Sequence, residues 1–294
     1  MNLNATTTPL TDAVLIPAAG LGSRLWPQGC AKELFPLGFS PRPGSAGEVR
    51  PKAVSEYSLE RARLAGVKHA FVVIGAHKPE LVRYFGSGEE FGMHIAYLYQ
   101  AAPTGLASAI DVATPWVAGA RILLGLPDTV IFPVDAHRSI RRRLITGCLD
   151  LVLGVFPTDR PEWLGPVRLD KAGRILEVQD KPLHTDLCNT WGTACWGPAF
   201  TELLHVGLAR ARRNGLPEPP LGYFFQQAVV AGLKVEGESF PEGIFIDIGT
   251  AEGLTAARRM LEPTFGQVEK TACPEVQGAW PALDTVPMRA ALYD

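Results

Sequence analysis

The sequence has few cysteines, no long apolar run and almost no net charge, and each shortage excludes a class of protein. Five cysteines among 294 residues (Cys30, Cys148, Cys188, Cys195, Cys273) form an odd, scattered set without a C-x-x-C pair. That argues against a disulfide framework or a thiolate zinc site and for reduced thiols. A formal net charge of −2 supplies no long-range field for nucleic acid or an anionic membrane, so phosphate binding has to come from a local site. Residues 1–11 are polar and Thr-rich without a basic segment, and Pro17 and Gly20 interrupt the apolar stretch that follows. Neither a signal peptide nor a membrane span is expected. None of the six histidines is spaced for metal binding, and no Ser-His-Asp or Cys-His set is recognisable. The expected compartment is the cytoplasm and the expected partner a small molecule.

What is present reads as one elaborated domain: 47% hydrophobic and 20% charged residues suffice for a sizeable core. Short apolar runs at 13–17, 70–75, 94–99, 121–125 and 149–156 alternate with helical patterns at 55–66, 79–85 and 105–113. Segments 167–169 and 174–178 read as an antiparallel pair turned at Lys171-Ala172-Gly173, and helices at 199–213 and 221–231 precede short strands at 233–238 and 244–246 and a helix at 251–261. This pattern predicts an α/β fold with a mixed sheet. The expected organisation is a flexible leader at 1–11, one domain at 12–264 with a loop insertion at 39–51, and a C-terminal arm at 265–294.

Two features carry chemistry before any family is considered. The first strand ends in Pro17-Ala18-Ala19-Gly20-Leu21-Gly22-Ser23-Arg24, a run of small residues whose backbone N–H groups are left accessible to an anion. It lacks the later glycine of a dinucleotide-binding fingerprint and the G-K-[S/T] of a P-loop. The second is Asp128, just past the end of the 121–125 strand, where ligands bind in open α/β sheets.

The loop continues into Leu25-Trp26-Pro27 and then Lys32-Glu33-Leu34-Phe35-Pro36-Leu37. This combination resembles the sugar-1-phosphate nucleotidylyltransferases, and the resemblance covers roughly residues 12–259. It implies a Rossmann-like three-layer αβα fold with a mostly parallel central sheet. It also implies transfer of a nucleotidyl group from a nucleoside triphosphate, UTP or dTTP, to a sugar 1-phosphate. By that resemblance Ala18, Ala19, Gly20, Leu21, Gly22 and Ser23 hold the triphosphate, Arg24 grips its β and γ phosphates, and Lys32 neutralises the reacting phosphates. The chain departs from the pattern here: the arginine-to-lysine spacing is shorter, and Ala31 stands where the family has proline. Arg42, Arg50 or Lys52, in or next to the insertion, are candidates for compensating charge, the alternative being a solvated loop.

Gln100-Ala101-Ala102-Pro103-Thr104-Gly105 resembles the family's base loop, with Gln100 pairing to the base and Pro103 and Gly105 beside it. An amide that donates and accepts matches N3–H and O4 of uracil or thymine; the alternative is an exposed strand end. Leu126-Pro127-Asp128 and Phe245-Ile246-Asp247-Ile248-Gly249-Thr250 are similar to the segments that hold the family's Mg²⁺. The metal needs few protein carboxylates because phosphates and water complete its octahedron. Asp247 could instead cap the next helix, although Thr250 is better placed, and Asp135 is a rival ligand. On the sugar side stand Gly165, Asp180 and Lys181 in place of E-K-P, and Asn189 in a segment without the family's tyrosine.

The resemblance implies a homo-oligomer, dimer or tetramer. A catalytically silent nucleotide-binding homologue and a glycosyltransferase remain as alternatives, the latter lacking its D-x-D. The basic run 138–143 reads as a solvated helix face.

Overall fold

The computed structural model describes residues 11–22, 30–42 and 47–271, with side chains up to residue 261. In chain order the elements are β1 (Asp12–Pro17), β2 (Pro36–Pro41), β3 (Val49–Ala53), α1 (Val54–Leu64), β4 (His69–Ile74), α2 (Pro79–Phe85), β5 (His94–Tyr99), α3 (Leu106–Asp111), α4 (Thr114–Val117), β6 (Arg121–Leu124), β7 (Thr129–Phe132), α5 (Ala136–Thr146) and β8 (Leu151–Pro157). They continue with β9 (Val167–Leu169), β10 (Ile175–Val178), β11 (Asn189–Trp196), α6 (Pro198–Arg213), α7 (Leu221–Val230), β12 (Val235–Ser239), β13 (Ile244–Asp247) and α8 (Ala251–Thr271).

Seven strands form the central sheet in the order β12-β8-β11-β6-β1-β4-β5. The β1/β4, β1/β6, β4/β5 and β8/β12 pairs are parallel, and β11 runs antiparallel to both β6 and β8. The sheet is therefore mixed and mostly parallel, as expected.

Alternation along the strands accounts for the layering. Ala13 and Leu15 of β1, Ile122 and Leu124 of β6 and Leu151 and Leu153 of β8 face one core, with Ile110, Val117, Leu204 and Phe225 from α3, α4, α6 and α7. The intervening Val14, Ile16, Leu123 and Val152 face the opposite core, against Leu59 of α1, Leu81 of α2 and Ile140 of α5. Strands covered on both faces read as continuous apolar runs, and the result is three layers. No helix among the described residues is long and apolar enough to cross a membrane.

Three expectations change. The described ends of the 39–51 segment pair as antiparallel strands, β2 against β3. The basic residues in and next to it already have carboxylate partners: Arg42 lies 3.3 Å from Glu48, Arg50 2.7 Å from Glu56, and Lys52 pairs with Glu60. The basic run on α5 is only partly solvated, since Arg141 meets Asp12 at 2.9 Å and Arg143 meets both Glu236 and Glu238 at 2.9 Å, clamping the helix to β1 and β12. The last helix continues to Thr271, beyond the 251–261 expected for it.

His137 of α5 is 1% exposed, with Nε2 3.2 Å from Thr193 Oγ1 and 3.3 Å from the Leu124 carbonyl. Burial, helped by the charge of Arg61, pushes it down from 6.5 to about 4. The unfolded chain therefore takes up a proton at higher pH than the folded one, so the stability that neutral His137 contributes is present above 6.5 and lost as pH falls through about 4. A melting temperature that drops between pH 7 and 4 is expected. His137→Gln should flatten that dependence, and a slope unchanged by the substitution would contradict the assignment.

Candidate active site

Small residues let the chain turn tightly off β1. Ala18 and Ala19 are 1% exposed, and the Ala18 N–H donates to Val73 O at 2.8 Å, pinning the loop to β4. Beyond them, Gly20 has open space where a side chain would project, and Gly22 has φ +68°, a left-handed conformation that glycine adopts without strain. Leu21 is 63% exposed. Ser23 and Arg24 lie outside the described residues.

A single 3₁₀ turn, Lys32–Leu34, brings the next cation in. The Lys32 stem passes 3.7 Å from the point where a Gly22 side chain would begin, and its ammonium donates to Asp128 Oδ2 at 2.5 Å. Each side chain is 15% exposed. Burial alone would lower the Lys32 ammonium, yet Asp128, with Glu33 and Asp247, holds it above the usual lysine value. The shortened loop thus still delivers Lys32 to the carboxylate.

Asp128 and Asp247 meet because β7 and β13 form their own antiparallel ladder. Asp247 pairs with Thr129, and the Ile248 N–H donates to Asp128 O at 2.9 Å, so the two acids occupy neighbouring rungs at one end of it. Asp247 Oδ1 accepts the Gly249 N–H at 2.7 Å. Thr250 Oγ1 accepts the Gly253 N–H at 3.1 Å, so Thr250 caps the first turn of α8 as expected. Asp135 follows the far end of β7, next to α5, and is not brought to Asp128.

The donor set suits a hard divalent cation. Asp128, which holds the Lys32 ammonium, and Asp247, which lies near enough to act on the same ammonium, are hard oxygen donors of the kind that suit a Mg²⁺ ion taking its remaining ligands from phosphate and water. Among the described residues no group of three or more His, Cys, Asp and Glu is arranged for a metal, which excludes an all-protein cage there.

Gln100 directly follows β5, its N–H donating to Ile74 O at 2.9 Å. It is only 6% exposed, contrary to the exposed-strand-end alternative, and its side-chain Nε2 has no partner among the described residues. Buried donors are normally satisfied, so this one fits a site that a ligand completes. Pro103 is exposed. At Gly105 a side chain would strike Glu218, whose Oε1 lies 2.3 Å from the position of the missing Cβ. Glu218 also accepts the Ser108 N–H at 2.8 Å and bonds the Ser108 hydroxyl, securing the start of α3. Sequence reasoning missed Glu218, which lies among prolines between α6 and α7 without a motif.

On the remaining wall, the strip Leu164-Gly165-Pro166 is the common partner. Lys181 N–H donates to Leu164 O at 2.8 Å, Gln179 N–H to Pro166 O at 2.9 Å and Trp191 N–H to Gly165 O at 3.0 Å. This brings Gly165, Asp180 and Lys181 together, with Lys181 held at φ +45°. Only glycine fits at 165, because a Cβ would lie 2.1 Å from Trp191 Nε1. Asn189 differs from the expectation of a sugar contact. Its Oδ1 accepts the Val167 N–H at 2.8 Å and its Nδ2 donates to Val167 O at 3.0 Å, so the amide is engaged in tying β11 to β9. Gly192 of β11 abuts Phe245, two residues before Asp247, which links this wall to the carboxylate ladder.

The family model for nucleotidyl transferases matches residues 13–262. A glucose-1-phosphate thymidylyltransferase of Streptomyces antibioticus is 27% identical over 272 residues, covering 87% of this chain and 68% of that one. Among solved structures, a Bacillus anthracis chain described as a glucose-1-phosphate thymidylyltransferase aligns with TM-score 0.73 at 20% identity over 86% of this chain and 95% of its own. A UDP-glucose pyrophosphorylase complexed with UDP-glucose aligns with TM-score 0.69 at 17% identity, over 87% and 99%. At such identities the structural likeness establishes the shared fold alone. The match of one family model to nearly the whole described chain goes further, and this chain belongs to the nucleotidyl transferase family.

Proposed function

We propose that the chain is a sugar-1-phosphate nucleotidylyltransferase, joining a nucleoside triphosphate to a sugar 1-phosphate with release of pyrophosphate. The observation that carries this reading is the convergence of Lys32, Asp128 and Asp247 beside the glycine loop at one end of the sheet. In the proposed reaction an oxygen of the sugar phosphate attacks the α-phosphorus in line and pyrophosphate leaves. No protein nucleophile or base is required, since the attacking group is already anionic. The protein's contribution is positioning and charge neutralisation.

The loop at 19–22 offers backbone N–H groups to the triphosphate, and the family resemblance gives Arg24, outside the described residues, the grip on the β and γ phosphates. Lys32 has three ammonium protons; one is used on Asp128, and the others are available to phosphate oxygens. Mg²⁺, held by Asp128 and Asp247, would neutralise the phosphate oxygens and help to orient them. Lys181 meets the phosphate of the sugar, and Asp180 its hydroxyls. Asp180 is one methylene shorter than the glutamate of the resembled motif, and Trp191 fills the wall behind Gly165. Both differences favour a sugar phosphate less common than glucose 1-phosphate.

For the nucleotide, the buried donor of Gln100 favours a pyrimidine with a carbonyl at position 4, UTP or dTTP. A homo-oligomer working in the cytoplasm belongs to the same proposal.

The direct test is pyrophosphate release with Mg²⁺, five triphosphates and a panel of sugar 1-phosphates. Release with a pyrimidine triphosphate is expected, and no release by folded, nucleotide-binding protein would favour the silent homologue. Asp128→Asn and Asp247→Asn should each reduce kcat by roughly 100-fold or more without unfolding the chain. Full turnover in either variant removes that residue from the metal site. Gln100→Ala should weaken use of the preferred triphosphate about tenfold, as read from kcat/KM across the panel. An unchanged preference would sink the base assignment.

A further inference from the structure

Behind the Lys32–Asp128 contact lies a second ion pair that the proposed reaction does not use. Lys78, the residue before α2, turns its side chain inward and donates from Nζ to Glu33 Oε1 at 2.7 Å. The two side chains are 2% and 1% exposed. Burial pushes the Glu33 carboxyl up and the Lys78 ammonium down, and each partner's charge opposes that push. Taking two charges out of water is costly, and apolar side chains of similar volume are usually no less stable in such a place. Stability alone therefore does not account for the pair.

Its place in the fold does. Glu33 is the middle residue of the one-turn helix whose first residue, Lys32, presents its ammonium to Asp128. Lys78 follows the end of β4, the strand whose Val73 carbonyl pins Ala18 of the nucleotide loop. The pair thus ties the Lys32 turn to the strand that holds the phosphate loop. From the other side, Ser55 Oγ donates to the Glu33 carbonyl at 2.6 Å. Among the described residues no other side chain bonds the Glu33 carboxylate.

We propose that Lys78 and Glu33 are positioning residues: their buried pair sets the placement of the Lys32 turn, so that the Lys32 ammonium meets the reacting phosphates. Neither residue touches substrate. The proposal rests on the nucleotidyl-transfer reading of the same site.

The test uses the full chain, measuring pyrophosphate release with its best substrate pair alongside the melting temperature. Lys78→Met or Glu33→Gln alone should lower Tm by about 10 °C, because a buried group loses its partner. The Lys78→Met/Glu33→Leu double variant should recover most of that loss. If the pair positions Lys32, the double variant still loses about tenfold or more in kcat while the triphosphate KM stays within about twofold. Lys32→Ala then costs much less in that background than in the native chain.

Ser55→Ala, which releases the Glu33 carbonyl without touching a charge, should lower kcat several-fold and decides the matter if the double variant does not fold. Native kcat in the folded double variant, or in Ser55→Ala where the double variant fails to fold, overturns the positioning role and leaves the nucleotidyl-transfer reading standing. An undiminished cost of Lys32→Ala in the double variant has the same meaning. A native chain that releases no pyrophosphate with any pair overturns that reading, and this proposal with it.

Discussion

Asp128 and Asp247 come from opposite halves of the chain, and the β7–β13 ladder holds them on neighbouring rungs, where two anions repel unless a cation lies against them. Lys32 meets that requirement from one side, with its ammonium on Asp128. Everything else around the site serves to bring cationic and hydrogen-bonding groups to that pair without collapsing onto it. The glycine loop passes beside the Lys32 stem, which puts backbone donors and an ammonium within reach of the same anion. Charge neutralisation, not covalent chemistry, is what such a constellation can do.

The scaffold around this centre is held by polar groups whose partners are backbone atoms or buried charges. Glu218 secures the start of α3 and packs on Gly105, so the 100–105 loop is set by a residue from the connection between α6 and α7. Asn189 spends its amide on Val167. Lys78 and Glu33 bridge the strand next to the glycine loop and the Lys32 turn. Such polar contacts add directional constraints that apolar packing lacks, and they lie one layer behind the groups expected to meet substrate.

The α5 arginines and the β2–β3 hairpin follow the same logic farther out. Arg141 bridges to Asp12, whose carboxyl is held down at about 2, with burial opposed by hydrogen bonds from Arg121 and Arg141. Arg143 holds β12, the sheet's edge strand. Arg50 and Tyr84 converge on buried Glu56, which fastens the hairpin to α1 and α2. Arginine suits this work because its planar fork can satisfy several acceptors at once.

Local periodicity made the doubly covered sheet legible in advance. The apolar runs of β1, β4, β5, β6 and β8 and the helices between them depend on residues a few positions apart, and their bounds lie within about two residues of the observed ones. The glycine loop, Lys32, Gln100, Asp128 and Asp247 were likewise visible, because each sits in a short motif whose chemistry is written in adjacent residues. Pairing between distant segments was not. Short β7, the β2–β3 hairpin with its prolines and β11 with Asn189 at its start have no strong period of their own, and their strands exist because a partner supplies the other half of the ladder. Adjacent residues alone were enough to read the layered α/β architecture and to name the candidate site residues. Long-range pairing made Asp247, and not Asp135, the neighbour of Asp128, gave Asn189 to Val167, and set Glu218 and Lys78 behind the site. Those choices depend on which distant segments share a ladder or a buried contact, and no local pattern of residues encodes that.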